Sequence, residues 1–200
     1  MNPAAIAKAR ARFQQAEAAL ETMRNVTALG ELEPVWSNFL TAHNGIFTVL
    51  EQGAKINPKS RQWFGEKKTF RRKDEMLNYL HQARNADEHD IPSVVAQRFA
   101  GGISFPDKQP SGMKITRVTF RPAGSNIETV VENHHGLKDV TVLSPVFVLC
   151  RVHDNRSKRY FDVPTTHLGK PIEASRAIGV AELANAYTSD LLVEAEKLAL

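Results

Sequence analysis

The sequence predicts an α+β fold: an N-terminal helical bundle, an antiparallel meander of about five strands, and a long C-terminal helix. Three observations carry this expectation. The first ninety residues place apolar side chains at helical spacing, residues 113–163 break into short β-branched runs divided by turn formers, and the last thirty return to helical spacing.

The elements follow in order. Pro3 to Leu29 is rich in Ala, Glu, Gln and Arg, all strong helix formers, with Pro3 in the first turn and Gly30 as the stop. Ile6, Phe13, Leu20 and the alanines between them form its apolar stripe. A second helix is expected from about Glu33-Pro34 to Gln52, with a wide face of Val35, Trp36, Phe39, Leu40, Phe47 and Leu50. Asn57-Pro58 is a cap followed by a first-turn proline, opening a short basic helix through Trp63 and Phe64. A fourth segment runs from about Lys73 to His89 and ends before Pro92, whose ring disfavours helical geometry at Ile91. Four helical segments with short connections predict a bundle.

Turn formers crowd residues 100–112, which marks them as a linker between a bundle at 1–99 and a β-rich part at 113–200. The expected strands are Met113–Arg121, Ile127–Asn133, Leu137–Leu143, Val146–His153 and Lys158–Val163. Spacing this short suits an antiparallel meander. From Ile172 to Leu200 a helix is expected to pack back on the bundle through Leu183, Ala186, Tyr187, Leu191, Ala195 and Leu198.

Composition narrows the function classes. With 42% apolar and 24% charged residues, the 200-residue chain has the make-up of an ordinary globular protein. One cysteine, Cys150, gives no disulfide framework and points to a reducing compartment; its alternation with Val148 and Val152 predicts a buried thiol. The strongly apolar stretch Val140–Val152 is too short for a bilayer span, and residues 1–8 show no signal core, so a cytoplasmic location away from membranes is expected. No nucleophile-elbow, Walker-type or dinucleotide glycine motif occurs. His81, Asp87, Glu88, His89 and Asp90 cluster, but without metal-ligand spacing, and His134-His135, His153-Asp154 and His167 read as turn or capping residues. Neither a metal nor a cofactor is expected.

Charge is unevenly distributed. The net +4 contains a basic run of Lys55, Lys59, Arg61, Lys67, Lys68, Arg71, Arg72 and Lys73 against the single acid Glu66, so the rest of the chain is mildly acidic. Such a run is either a solvated helix face or a track for nucleic-acid phosphates, with Trp63, Phe64 and Phe70 available to stack on bases.

The segment 73–89 carries one anomaly. With Leu77 at zero and roughly 100° per residue, Leu80 falls near 300° and Arg84 near 340°. A guanidinium on the apolar stripe needs a partner, and Asp87 and Glu88 lie within reach on the same helix. Arg84-Asn85-x-x-x-His89 resembles the Arg-polar-x-x-x-His signature of the HEPN superfamily of helical-bundle domains, common among prokaryotic toxins and CRISPR-associated RNases. The resemblance covers roughly residues 1–95. It implies a homodimer that joins two motifs into a metal-independent ribonuclease site. Arg84 would hold the scissile phosphate, His89 would handle the 2′-hydroxyl proton or orient the phosphate, and Asn85 would position the partner motif. Two residues after His89 stands Ile91, where toxin-type members often carry Tyr.

Two expectations follow. One is an RNA-binding, toxin-like ribonuclease with the basic run as RNA track and a protein partner such as an antitoxin. The other is a non-catalytic regulatory or interaction module, with Arg84 tied to Glu88 and the sheet binding a partner or small ligand.

Overall fold

The structure, a computed structural model, describes residues 1–89, 93–100, 115–124, 126–133, 138–154, 158–173 and 176–199. Among the described residues there are five helices: α1 (Pro3–Asn25), α2 (Leu29–Ala54), α3 (Pro58–Lys73), α4 (Glu75–His89) and α5 (Ala177–Glu196). The strands are β1 (Val95–Ala100), β2 (Ile115–Ala123), β3 (Asn126–Asn133), β4 (Lys138–Leu149), β5 (Val152–Asp154), β6 (Arg159–Phe161), β7 (Thr166–His167) and β8 (Lys170–Pro171). The α+β class is as expected. The chain forms two compact units, one of Met1–Ala96 with Val148–Leu200 and one of Gln97–Phe147. The first unit is therefore discontinuous. The C-terminal helix belongs with the bundle, and the expected linker lies outside the described residues beyond Ala100.

In the helical unit, α1 and α2 lie antiparallel. The amide of Asn2 donates to the Gly53 carbonyl at 3.1 Å, setting the start of one helix beside the end of the other. α5 runs antiparallel to α1, fixed by Arg10–Glu196 at 2.7 Å and Arg24–Glu182 at 2.9 Å. The core joins Ile6, Phe13, Ile46, Phe47, Leu50, Phe64, Leu191 and Leu192. Trp36, Phe39, Met76, Leu77, Tyr79 and Leu80 are sealed as well. Tyr79 donates to the Cys150 carbonyl at 2.6 Å, and the Cys150 amide donates to Val94 at 2.9 Å, tying α4 to the strands that re-enter the unit.

Several boundaries depart from expectation. α1 stops at Asn25, and Gly30 lies inside α2; Glu31 reaches back to the Thr27 amide at 3.4 Å and starts α2 ahead of Pro34. α3 continues to Lys73 as one helix from its Asn57 cap, which accepts from the Ser60 amide at 2.8 Å. α5 buries Leu191 and Ala195 of the expected stripe, and Tyr187 and Leu198 pack against the core, but its inward face is shifted at the N-terminal end. Leu183 is 36% exposed and Ala186 is exposed, while Val180, Ala181, Ala184, Thr188, Leu191, Leu192 and Ala195 are buried. Ala181, Ala184 and Ala195 of α5, like Ala9 and Ala16 of α1, are buried, and small side chains of this kind suit close approach of two packed helices. Cys150 is half-buried rather than sealed, because β4 ends at Leu149 and the strand alternation stops there.

The five-strand meander is replaced by a four-stranded sheet in the order β1-β4-β3-β2, with separate hairpins β5-β6 and β7-β8. The two expected strands on either side of Ser144-Pro145 are one strand. β3 pairs with β4 only as far as Leu143, so Pro145, which has no N–H to give, lies beyond that ladder. In the second unit β2 pairs antiparallel with β3 through Gly124, whose φ of 64° suits the turn. β2 is an edge strand, with Phe120 62% exposed.

Asp74 separates α3 from α4. It has extended backbone, and its Oδ1 accepts from the Leu77 amide at 2.9 Å, capping α4. The same carboxylate meets His167 Nδ1 at 3.0 Å and the Leu168 amide at 2.8 Å. Leu168 and Gly169 form the two-residue turn of β7-β8 with φ of 52° and 73°. Such a turn needs left-handed backbone at both positions, which costs a leucine about 1–2 kcal/mol. The Asp74 bond holds it there. Glu75 accepts from the amides and hydroxyls of Thr165 and Thr166 at 2.8–3.1 Å. These bonds, that of the Thr166 hydroxyl foremost, hold its carboxyl below the ordinary value.

The α1–α2 contact is tightest at Gly53, where a Cβ would fall 2.3 Å from the Cβ of Ala5. Gly53→Ala is expected to lower stability by about 1–3 kcal/mol in urea denaturation. Gly65→Ala on open α3 surface is expected to raise it by about 0.5–1 kcal/mol. Equal effects of the two would contradict the packing described.

Candidate functional site

The expected catalytic residues lie at the end of α4. Arg84 is 27% exposed at its side chain, and one terminal nitrogen pairs with Glu88 one turn on. Its Nη1 lies 3.5 Å from Asn85 Oδ1, and its Nε is buried with no hydrogen-bond partner among the described residues. The anomaly read from the helical wheel thus has its nearby acid. The His89 side chain, Asp90 and Ile91 lie outside the described residues.

The basic run divides into three groups. Lys55, Lys59, Arg61, Arg72 and Lys73 are exposed, with Arg61 donating to the Lys55 carbonyl at 3.0 Å. Lys67 and Lys68 are half-buried and paired, with Glu194 at 2.6 Å and Glu51 at 2.5 Å. Arg71 turns inward. The aromatic residues are largely occupied: Phe64 is in the core, Trp63 donates to Glu194 at 3.0 Å, and Phe70 stacks on Tyr187. Burial works to raise the Glu194 carboxyl, but the bonds from Lys67 and Trp63 outweigh it and leave it below its ordinary value.

Arg71 is the centre of a second arrangement that the sequence reading did not separate from its neighbours. Its guanidinium carbon sits 4.0 Å from the Phe47 ring centre, and Nη2 donates to Asn44 Oδ1 at 2.9 Å. Burial lowers its pKa to about 10, so it stays charged at neutral pH. His81 Nδ1 lies 3.2 Å from the same Asn44 oxygen. A guanidinium only donates, so that atom is an acceptor, and His81 must donate to it from Nδ1. The tautomer follows: His81 Nε2 carries a lone pair. Burial, then Arg71, Arg84 and Arg72, hold His81 down to about 4, so it is neutral near pH 7.

These groups line a cavity of about 300 Å³ together with Phe47, Phe64, Lys68, Arg72 and Asn78. His43 stands behind, 1% exposed, between Phe39 and Phe47. Burial, with the charge of Arg71, lowers it to about 3. Around Phe47, His43 Nε2, Arg71 Nε and Tyr187 Oη are buried with no hydrogen-bond partner among the described residues. Burial pushes the Tyr187 phenol up to about 12. Signals for this cluster exist in the sequence. His43 falls midway between Phe39 and Phe47 on an apolar face, and Arg71 follows Phe64 by seven residues, which returns it to the buried side of α3. Among the described residues no group of three or more His, Cys, Asp or Glu could hold a metal, and no helix is long and apolar enough to cross a membrane.

Both histidines make folding acid-sensitive. The unfolded chain takes up their protons below about pH 6.5, whereas the folded state refuses them until about 4 and about 3. Stability is therefore full above the unfolded value and falls as pH drops through that window. From about pH 7 to about pH 5, denaturant titrations are expected to show a loss of about 2 kcal/mol from His43 and a smaller one from the part-exposed, solvent-screened His81. His43→Phe, which keeps the aromatic stack, should remove the larger part of that loss. An unchanged pH profile in His43→Phe would contradict the sealed, neutral state of this ring. Compared with the models of known protein families, with curated proteins and with solved structures, the chain matches none.

Proposed function

We propose that the protein binds RNA through backbone phosphates along the cationic edge of α3 and α4, and cleaves it without metal through Arg84, Asn85 and His89 contributed by two subunits. One observation supports this reading above others: Arg71 and Arg72 at the end of α3 line one cavity with His81 of α4, and Arg84 stands one turn along α4 from His81. Two helices therefore concentrate guanidinium charge in one region of the helical unit. Guanidinium groups match phosphate oxygens as planar forks, and histidine is the side chain suited to move a proton near neutrality. Exposed Lys59, Arg72 and Lys73 would extend the contact along a strand of RNA. A toxin-like role, with an antitoxin as protein partner, belongs to the same reading.

A second reading, a binding module without catalysis, is favoured by the Arg84–Glu88 pair, which occupies one end of the guanidinium. RNA cleavage in EDTA separates the two. On the first reading Arg84→Ala and His89→Ala each lose roughly 100-fold or more in rate, the usual contribution of a positioned acid or base. Binding of RNA without cleavage by wild type supports the second reading. Equal cleavage by wild type and both variants sinks the first.

A further inference from the structure

The cavity bounded by α2, α3 and α4 has properties that RNA binding along an exposed edge does not call for. Its volume of about 300 Å³ matches the lower end of small-molecule sites, roughly 300–1,000 Å³. Part of the lining is aromatic, from Phe47 and Phe64, and part is cationic. Glu51 balances Lys68 at 2.5 Å, which leaves the two guanidinium groups of Arg71 and Arg72 as the uncompensated charge. Arg71 is fixed in advance by Asn44 and the Phe47 ring, so little side-chain ordering remains to be done on binding. Its Nε–H has no hydrogen-bond partner among the described residues.

We propose that this cavity binds a phosphomonoester, a terminal phosphoryl group on a small organic body. A monoester carries about −1.5 to −2 at neutral pH, which answers two guanidinium groups. A carboxylate or an internal phosphodiester carries a single charge and would leave one of them uncompensated. Arg71 and Arg72 grip the phosphoryl oxygens, and Asn78 can donate to them from its amide. His81 adds an acceptor at Nε2, suited to a hydroxyl of the ligand body. Phe47 and Phe64, both nearly sealed, form the apolar floor of the cavity. The site goes beyond the RNA reading, which runs diesters along the exposed edge of α3 and α4 and shares Arg72 with the cavity.

Two sources share this chemistry: a free small phosphate ester and the phosphorylated end of an RNA. Calorimetric titration of the full chain distinguishes them. The probes are inorganic phosphate, a ribonucleoside 5′-monophosphate, and a short oligoribonucleotide carrying either a 5′-phosphate or a 5′-hydroxyl. Saturable binding of the monophosphate is expected, weakened at least tenfold by Asn78→Asp, which sets a carboxylate in the lining with little change of shape. Arg72→Gln, an exposed position that leaves the core untouched, should weaken it as well. Tighter binding of the 5′-phosphorylated oligonucleotide than of the mononucleotide identifies an RNA end; equal binding identifies a free ester. The 5′-hydroxyl oligonucleotide carries only diesters, so its binding reports the outer edge alone and keeps the two readings apart. No saturable binding of any monoester by folded wild type overturns the proposal, as does unchanged affinity in both variants.

Discussion

The Asp74 carboxylate is the constraint on which the helical unit depends. Only 3% of its side chain is exposed, and it serves three groups at once: the Leu77 amide of α4, the His167 ring and the Leu168 amide of the β7-β8 hairpin. Replacing it by an apolar residue would leave buried donors unmet, each worth about 1–3 kcal/mol. Its extended backbone ends α3 and aims α4, and that angle decides where His81 and Arg84 stand relative to Arg71. Glu75 repeats the connection on the outer side of the same turn. The β7-β8 hairpin is thus an external brace on the α3–α4 corner, and its left-handed Leu168 is tolerated because the corner holds it.

From that corner follows the division of the basic run. A stretch that reads as one patch in the sequence becomes an outer face, a set of ion pairs to α2 and α5, and a single inward guanidinium. The exposed ion pairs contribute little to stability, of the order of 0–1 kcal/mol each. Arg71 is different. It lies against an aromatic ring and shares an amide oxygen with a neutral histidine, an arrangement that fixes its fork and strips much of its water. Desolvated, preorganised charge is the feature that separates a recognition site from a solvated surface.

The sequence disclosed most where the signals were local. The Asn57-Pro58 cap, the apolar stripe of α1 and the pairing of Arg84 with a nearby acid are all short-range, and the structure contains them. Long-range choices were not legible. β1, Val95-Ala-Gln-Arg-Phe-Ala100, shows little alternation and exists as a strand beside β4, far along the chain. Ser144-Pro145 looked like a turn because its position beyond the β3 ladder depends on register. On α5 the buried face takes in Val180, Ala181 and Ala184 beyond the expected stripe and leaves Leu183 outside, a choice made by the packing partner and not by local spacing. Arg71 was hidden among seven other cations, although its seven-residue offset from Phe64 marked it.

The discontinuity of the helical unit bears on how the protein is made. Val94 and Cys150 are joined backbone to backbone, so the chain leaves this unit and returns at one point after a long excursion. α5, which supplies Leu191, Leu192 and Ala195 to the core, is synthesised after that excursion. On the ribosome, α1 to α4 emerge with an unfilled groove along α1, and residues 97–147 must follow before the groove can close. Completion is therefore a late event of high contact order, and early release of the chain leaves an apolar surface open to association.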